Sequence, residues 1–256
     1  MKEVRPSRAF RFGTPKVSLA RALSKLGYCS RTRAMELIGA GRVRVNGRGE
    51  RDGARRVDPA KDRIEVEGRV VTPSEKVYLM LNKPRGLVTS AADEKGRATV
   101  YEGLKDCGFP WLVPVGRLDK ASEGLLLFTN DTRWAARIMA PQTHLDKTYH
   151  VQVDRVADEG FLKKMTEGVE AEEGDFLQAR KASLLRKGKR NCWLEVVLQE
   201  GKNRHLRRLL SALGVNVLRL VRVAIGPLQL GALGKGEVRL LTGMEKECLS
   251  KTKPKI

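Results

Sequence analysis

A guanidinium and a carboxylate two residues apart stand out in residues 115–131. Gly116 opens a bend, Arg117 and Asp119 follow it, and Ser122 and Gly124 lead into the apolar run 125–128, closed by Thr129, Asn130 and Asp131. The run has the length and flanks of a buried strand. Asp119 then sits on the loop just ahead of a rigid element, anchored yet free to face a cleft. A carboxylate so placed can serve as nucleophile or base when a neighbouring cation keeps it ionised. A second stretch with chemical character begins at Glu200-Gly201-Lys202-Asn203-Arg204 and enters a helix. Leu206, Leu209, Leu210 and Leu213 form its apolar stripe, and Arg204, Arg207, Arg208 and Ser211 the adjacent polar one. Its Gly-Lys-Asn-Arg entry can approach a phosphate closely. Each stretch alone also has a plain reading: a turn with a solvated Asp, and an amphipathic surface helix.

The elements that must hold these groups can be read in order. Residues 1–16, rich in Arg, Pro and Gly, predict a basic flexible arm. Ser18 starts a helix carrying Leu19, Leu23 and Leu26, stopped by Gly27. Ser30 caps a second helix in which Ala34, Leu37 and Ile38 share a face, ended by Gly39 and Gly41. Val43 and Val45 alternate with Arg42 and Arg44 as a strand, and Asn46-Gly47 marks a hairpin. Ile64 and Val66 alternate in the same way. Residues 17–74 thus predict a module of two helices and a small sheet, with Lys25, Arg31, Arg33, Arg42 and Arg44 on its polar faces.

Thr72, Pro73, Ser74 and Glu75 read as a linker into a domain over 75–245. It opens with a strand ending at Asn82-Lys83-Pro84-Arg85-Gly86. A short helix after Asp131 carries Trp134, Ala135 and Ile138 and stops at Pro141. Residues 147–153 form a new alternating strand holding Tyr149, 193–198 another, and 217–225 a basic and apolar one. Residues 155–190 mix helix and turn signals and carry no assignment. Residues 246–256 read as a short basic tail. The fold class expected is α+β, its larger sheet mixed but mainly antiparallel.

Composition narrows the partners. The formal net charge is +20 and the pI about 10.2. Such a field draws in polyanions, so nucleic acid leads and an anionic membrane surface competes. Residues 1–56 hold fifteen Lys or Arg against four acids, a cationic front. No apolar run reaches the ~18 residues of a bilayer span, and the first residues lack the apolar core of a secretory signal. Cys29, Cys107, Cys192 and Cys248 are scattered and read as reduced thiols in a cytosolic protein. His144, His150 and His205 are too few and too ill-spaced for a metal site, so none is expected.

Taken whole, residues 115–131 resemble the catalytic motif of bacterial ribosomal RNA pseudouridine synthases, the family of the small-subunit uridine synthase and its large-subunit relatives. Asn82-Lys83-Pro84-Arg85-Gly86 is similar to the family's opening Asn-Lys-Pro-x-Gly, and Gly96-Arg97-Ala98-Thr99-Val100-Tyr101 to its next segment. Residues 19–47 resemble the RNA-binding module of the fourth small-subunit ribosomal protein. The resemblance implies Asp119 as the catalytic carboxylate, acting on the sugar or as a base, with both roles open. It implies Tyr149 as the stacking platform for the base and Arg207 as the cation paired with the carboxylate. It implies Arg117 as the side chain that fills the space of an everted uridine, with Lys202, Arg204, Arg208 and the cations of the front module on the RNA. Ala121, Thr132 and His205 depart from the family's usual residues, which bears on substrate choice.

The expectation is therefore a cytoplasmic, monomeric isomerase that needs no cofactor or metal. Its partner is ribosomal RNA or an assembling ribosomal particle rather than a membrane. Arg204, Arg207, Arg208, Arg219 and Arg222 look more like the large-subunit enzymes. The rival is a non-catalytic RNA-binding or ribosome-assembly factor of the same fold. A methyltransferase on the same front module lacks the glycine-rich loop and acidic ribose ligand it would need.

Overall fold

A computed structural model describes residues 16–251 except 92, 94, 106, 172 and 173. The expected basic arm thus lies, but for Lys16, outside the described residues, as do the last five positions of the expected tail. The chain divides into two compact units, Met1–Glu75 and Lys76–Ile256.

The first unit runs β1 (Val17–Ser18), α1 (Leu19–Lys25), α2 (Arg31–Gly39), β2 (Val43–Val45), β3 (Arg48–Glu50), β4 (Arg56–Val57), β5 (Ile64–Val66) and β6 (Arg69–Val70). Ser30 caps α2, its Oγ accepting from the Arg33 amide at 3.0 Å. Ser18 occupies the cap position of α1 but its side chain makes no capping bond. The β1–β4 pairing takes over there, and the Leu19 amide donates to the Arg55 carbonyl at 2.8 Å. Asn46 and Gly47 both have positive φ, 52° and 81°, which lets two residues close the β2–β3 hairpin. Leu19, Leu23, Ala34, Ile38, Val43 and Val66 pack as one core beneath the order β3-β2-β5-β6.

The second unit runs β7 (Tyr78–Lys83), β8 (Val113–Val115), β9 (Glu123–Thr129), α3 (Thr132–Met139), β10 (Lys147–Val153), α4 (Glu159–Glu167), β11 (Val169–Glu170), β12 (Phe176–Leu177), β13 (Lys181–Lys187), β14 (Cys192–Leu198), α5 (His205–Ala212), β15 (Val217–Ile225), β16 (Leu228–Gln229), β17 (Val238–Leu240) and α6 (Gly243–Ser250). Among the described residues a nine-stranded sheet follows the order β13-β14-β10-β15-β9-β7-β17, with β16 on β15 and β8 on β9. Its ladders are antiparallel except where β9 meets β15 in parallel, Val221 opposite Glu123 and Arg222 opposite Gly124. The architecture is the mixed, mainly antiparallel α+β arrangement that the sequence predicts.

β9 is the central strand, and every residue of it is buried. Leu125 and Leu127 face a core with Trp134, Ile138, Ile225 and Leu249, while Leu126 and Phe128 face another with Leu79, Leu81 and Leu112. A continuous apolar run is what a strand covered on both faces requires. Asp131 caps α3, its Oδ1 accepting from the amides of Arg133 and Trp134.

Two stretches differ from the sequence reading. The unassigned residues 155–190 hold α4, capped by Asp158, and the strands β11 to β13. The expected tail 246–256 is helical in its first part, as α6. Thr242 and Glu245 form a reciprocal capping box, Leu249 is fully buried, and the Trp134 indole donates to Ser250 Oγ at 3.1 Å. A high Lys content hid a helix whose start was marked by Thr242-x-x-Glu245.

Candidate active site

The turn between β8 and β9 presents Asp119 and is fixed from several sides. Gly116, at φ +78°, makes the bend. The Thr89 hydroxyl donates to the Leu118 carbonyl at 2.8 Å and accepts from its amide at 3.3 Å. The Gly86 amide donates to the Lys120 carbonyl, and the Ser122 amide to that of Asp119. Beneath the turn lies Lys83, the last residue of β7 and wholly buried. Its ammonium donates to the carbonyls of Pro84 (3.1 Å), Asp119 (3.2 Å) and Ser122 (2.8 Å). Burial drives the Lys83 pKa down to about 8, against the pull of Asp119 and Glu123. Three carbonyl partners are what a buried ammonium with three donors needs.

The Asp119 side chain is 35% exposed, and its Oδ2 lies 3.6 Å from Arg204 Nη1 and 3.7 Å from Arg207 Nε. Arg207, on α5, is mostly buried and donates from Nη2 to the Ala121 carbonyl at 3.1 Å. Burial lowers the pKa of its guanidinium and Asp119 opposes that, leaving it a cation at neutral pH. The neighbouring Glu123 is differently placed. Arg219 holds it with two hydrogen bonds of 2.8 and 3.0 Å, and Lys235 stands 3.0 Å away. Burial alone would raise the Glu123 carboxyl, but these cations outweigh it and the net shift is downward. Glu123 is thus spent on structure, whereas Asp119 opens on a cleft.

That cleft encloses about 960 Å³, and Arg117, Asp119, Tyr149, Lys202, Arg204 and Arg207 all line it. Tyr149, on β10, is half-buried and packs against two apolar clusters, one holding Leu206 and Leu220 and the other Leu118 and Leu126. It pairs across the sheet with Val196 and Arg222. Arg117 is exposed at the rim. The α5 entry is a left-handed Arg204 (φ +47°) followed by His205, whose Nε2 lies 3.1 Å from the Gln178 carbonyl. A carbonyl only accepts, so Nε2 carries the proton. Burial lowers the His205 pKa, against the opposing pull of the Gln178 carbonyl.

Of the other expected RNA contacts, Lys202 donates to the Phe176 carbonyl at 3.1 Å, and Arg208 is 2.9 Å from Asp175 and outside the cleft lining. Lys25, Arg31, Arg33, Arg42 and Arg44 belong to the first unit, where Arg33 pairs with Glu36 and Arg42 with Glu67. Two residues escaped the sequence reading of the site. Lys83 was visible only as part of a motif, and nothing local reveals that its ammonium folds under Asp119. Arg222, 6% exposed, donates from Nε to the Leu125 carbonyl at 2.8 Å and so clamps β15 to β9. Among the described residues, no group of three or more His, Cys, Asp or Glu could hold a metal, and no helix is long and apolar enough to cross a membrane.

Residues 77–212 match the RNA pseudouridylate synthase family, and residues 17–64 the S4 domain. An RNA pseudouridine synthase of Aquifex aeolicus is 41% identical over 88% of this chain and 90% of its own. The ribosomal large subunit pseudouridine synthase B of Bacillus subtilis is 37% identical over 89% of this chain and 93% of its own. A crystal structure of a pseudouridylate synthase superposes with a TM-score of 0.63 at 30% identity, covering 91% of this chain and 99% of that one. With a carboxylate turn, a cationic helix entry and a flanking tyrosine on one cleft, the chain belongs to the RNA pseudouridine synthases and carries an S4 domain ahead of its synthase domain.

Proposed function

We propose that Asp119 is the catalytic carboxylate of this RNA pseudouridine synthase and that its substrate is a uridine of large-subunit ribosomal RNA. The observation that carries the reading is the Asp119 carboxylate, open to the cleft with two guanidiniums within 3.7 Å. Pseudouridine formation breaks the bond from ribose C1′ to uracil N1, turns the base, forms a bond from C1′ to C5, and releases the C5 proton. No redox change is involved, and the reacting groups need only a positioned carboxylate, a platform and exclusion of water. Asp119 supplies the carboxylate, attacking the sugar or taking its proton. Arg207, 3.7 Å away, faces it with a guanidinium, and Arg204 adds charge at the cleft mouth, where an incoming phosphate would lie.

Tyr149 is the platform on which the uracil stacks. A stacked uridine hides its glycosidic bond, so the nucleotide is everted into the cleft, and Arg117 at the rim takes its place in the RNA. Lys202 and Arg208 steady the RNA around the α5 entry. Lys25, Arg31, Arg33, Arg42 and Arg44 hold phosphates from the S4 unit. The protein works as a monomer in the cytoplasm, on ribosomal RNA free or in an assembling particle. The Bacillus relative, named for the large ribosomal subunit, supports the choice of RNA.

The test is tritium release from transcripts labelled at uracil C5. Large-subunit RNA should release tritium with one nucleotide mapped as pseudouridine, and small-subunit RNA should release about tenfold less or none. Equal release from both would overturn the subunit assignment, and none from either would favour an RNA-binding assembly factor of the same fold.

A further inference from the structure

Residues 181–191 carry five cations and no acid, Lys181, Arg186, Lys187, Lys189 and Arg190. They form β13 and the turn into β14, part of the stretch that the sequence left unassigned. β13 is the terminal strand of the sheet order, so this row of charge lies on a sheet edge. Residues 184–190 are all exposed. Lys181 pairs with Glu195 at 3.7 Å. Arg186, Lys187, Lys189 and Arg190 make no ion pair or side-chain hydrogen bond among the described residues. A register break between Leu184 and Arg186 bends the strand, and the Gly188 amide donates to the Asn191 carbonyl to close the tip. Four adjacent cations are thus held together with no internal anion to neutralise them.

Their place relative to the cleft follows from the ladder. Lys147, at the cleft end of β10, pairs with Leu198, and Val153, at the other end, pairs with Cys192. Six residues at ~3.3 Å each put the hairpin tip ~20 Å from the cleft end of the strand. The same side chains therefore cannot hold the reacting nucleotide.

We propose that the β13–β14 hairpin is a second RNA-docking surface, gripping phosphates of the folded substrate RNA at a distance from the cleft. The proposal rests on RNA being the substrate of the cleft and extends that reading to the reach of the RNA. Charge complementarity selects the occupant, because a row of exposed, unneutralised guanidiniums and ammoniums fits a polyphosphate backbone. It carries no base-reading geometry, so it sets position and affinity rather than sequence. The competing role for charge on a sheet edge is protection against strand-to-strand association, and the test separates the two.

In the full chain, Arg186→Ser, Lys187→Ser, Lys189→Ser and Arg190→Ser are combined, and binding to a large-subunit ribosomal RNA transcript is followed between about 50 and 200 mM salt. Loss of four phosphate contacts should lower the salt slope by about 3 and weaken binding at least tenfold at the lower salt. A trinucleotide with a central uridine, too short to span the ~20 Å between the two surfaces, should bind the two proteins within about twofold. A control variant with Arg133, Arg137, Lys163 and Lys164 changed to Ser removes the same formal charge elsewhere, and its slope should fall by less than about 1.

An unchanged slope overturns the proposal, as does an equal fall in the control, which would make the effect one of net charge. Self-association of the hairpin variant with RNA binding intact overturns it in favour of edge protection. Failure of the unsubstituted protein to bind either RNA would instead bring down the RNA reading itself.

Discussion

Lys83 is the residue whose role reaches furthest beyond its own contacts. A wholly buried lysine is rare, and this one is tolerated because three backbone carbonyls take its three protons. Two of those carbonyls belong to Asp119 and Ser122, so the ammonium positions the turn that aims the carboxylate. Lys83→Met keeps the volume and leaves the carbonyls without their donor. Turnover should fall roughly 10²-fold, the scale of a misplaced reacting group, while RNA affinity stays within about twofold. Near-normal turnover would show that the turn holds without its clamp.

The same residue makes a pH prediction. The folded chain holds Lys83 near 8 and the unfolded chain near 10.5. Between those values the unfolded chain binds more protons, so the burial cost is present below pH 8 and relieved as pH rises across the window. Denaturant melts should show stability from this group climbing from pH 8 to 10.5, and the climb should vanish in Lys83→Met. Asp119 and the loop ahead of β9 were legible in the sequence because glycine, acid and apolar run follow one another locally. The clamp was not, because it joins residues 36 or more positions apart.

At the scale of elements, the meeting of β9 and β15 organises the synthase unit. Their parallel contact is short, and Gly124 sits against the backbone of Arg222 with φ +99°. A Cβ there would collide with the Arg222 carbonyl, and the backbone conformation is one that L side chains avoid. Gly124→Ala should therefore destabilise the protein by more than ~2 kcal/mol, read as a lowered midpoint in urea with unchanged slope. A wild-type midpoint would mean that the strands separate without cost. β9, α3, β10 and β14 could be read from local signals, β9 from its apolar run and flanking residues, α3 from its cap, β10 and β14 from alternation. α6 and the strands of 155–190 could not. In α6 the buried Leu249 follows Glu245, Lys246 and Glu247 in the sequence, which mask its apolar face, and in β13 the burial pattern of an edge strand exposes Leu184 and Leu185.

For the whole molecule, the decisive quantity is charge. Among the cations of the S4 unit, Arg33 and Arg42 hold acids at 2.8 and 2.7 Å, but all four side chains are more than half exposed. Exposed pairs of this kind are screened by solvent and contribute little, so phosphates can displace the acids at little cost. Removing residues 1–75 should weaken binding to ribosomal RNA and flatten its salt dependence. The remaining unit, with its own cores, should keep a cooperative melting transition. An unchanged salt slope would move the RNA grip elsewhere. The asymmetry of charge was plain in the composition, since residues 1–56 hold fifteen basic residues and four acids. The hairpin cluster was equally visible as letters, but only the sheet order reveals that it stands on an edge.

The central claim is that the Asp119 carboxylate performs the chemistry, and single-turnover tritium release from uracil-labelled ribosomal RNA tests it most directly. Asp119→Asn keeps the shape of the side chain and removes its charge. Release should fall to background, at least ~10⁴-fold below the unsubstituted protein, with the dissociation constant for RNA within about twofold. Release at a comparable rate from a folded Asp119→Asn protein would contradict the account.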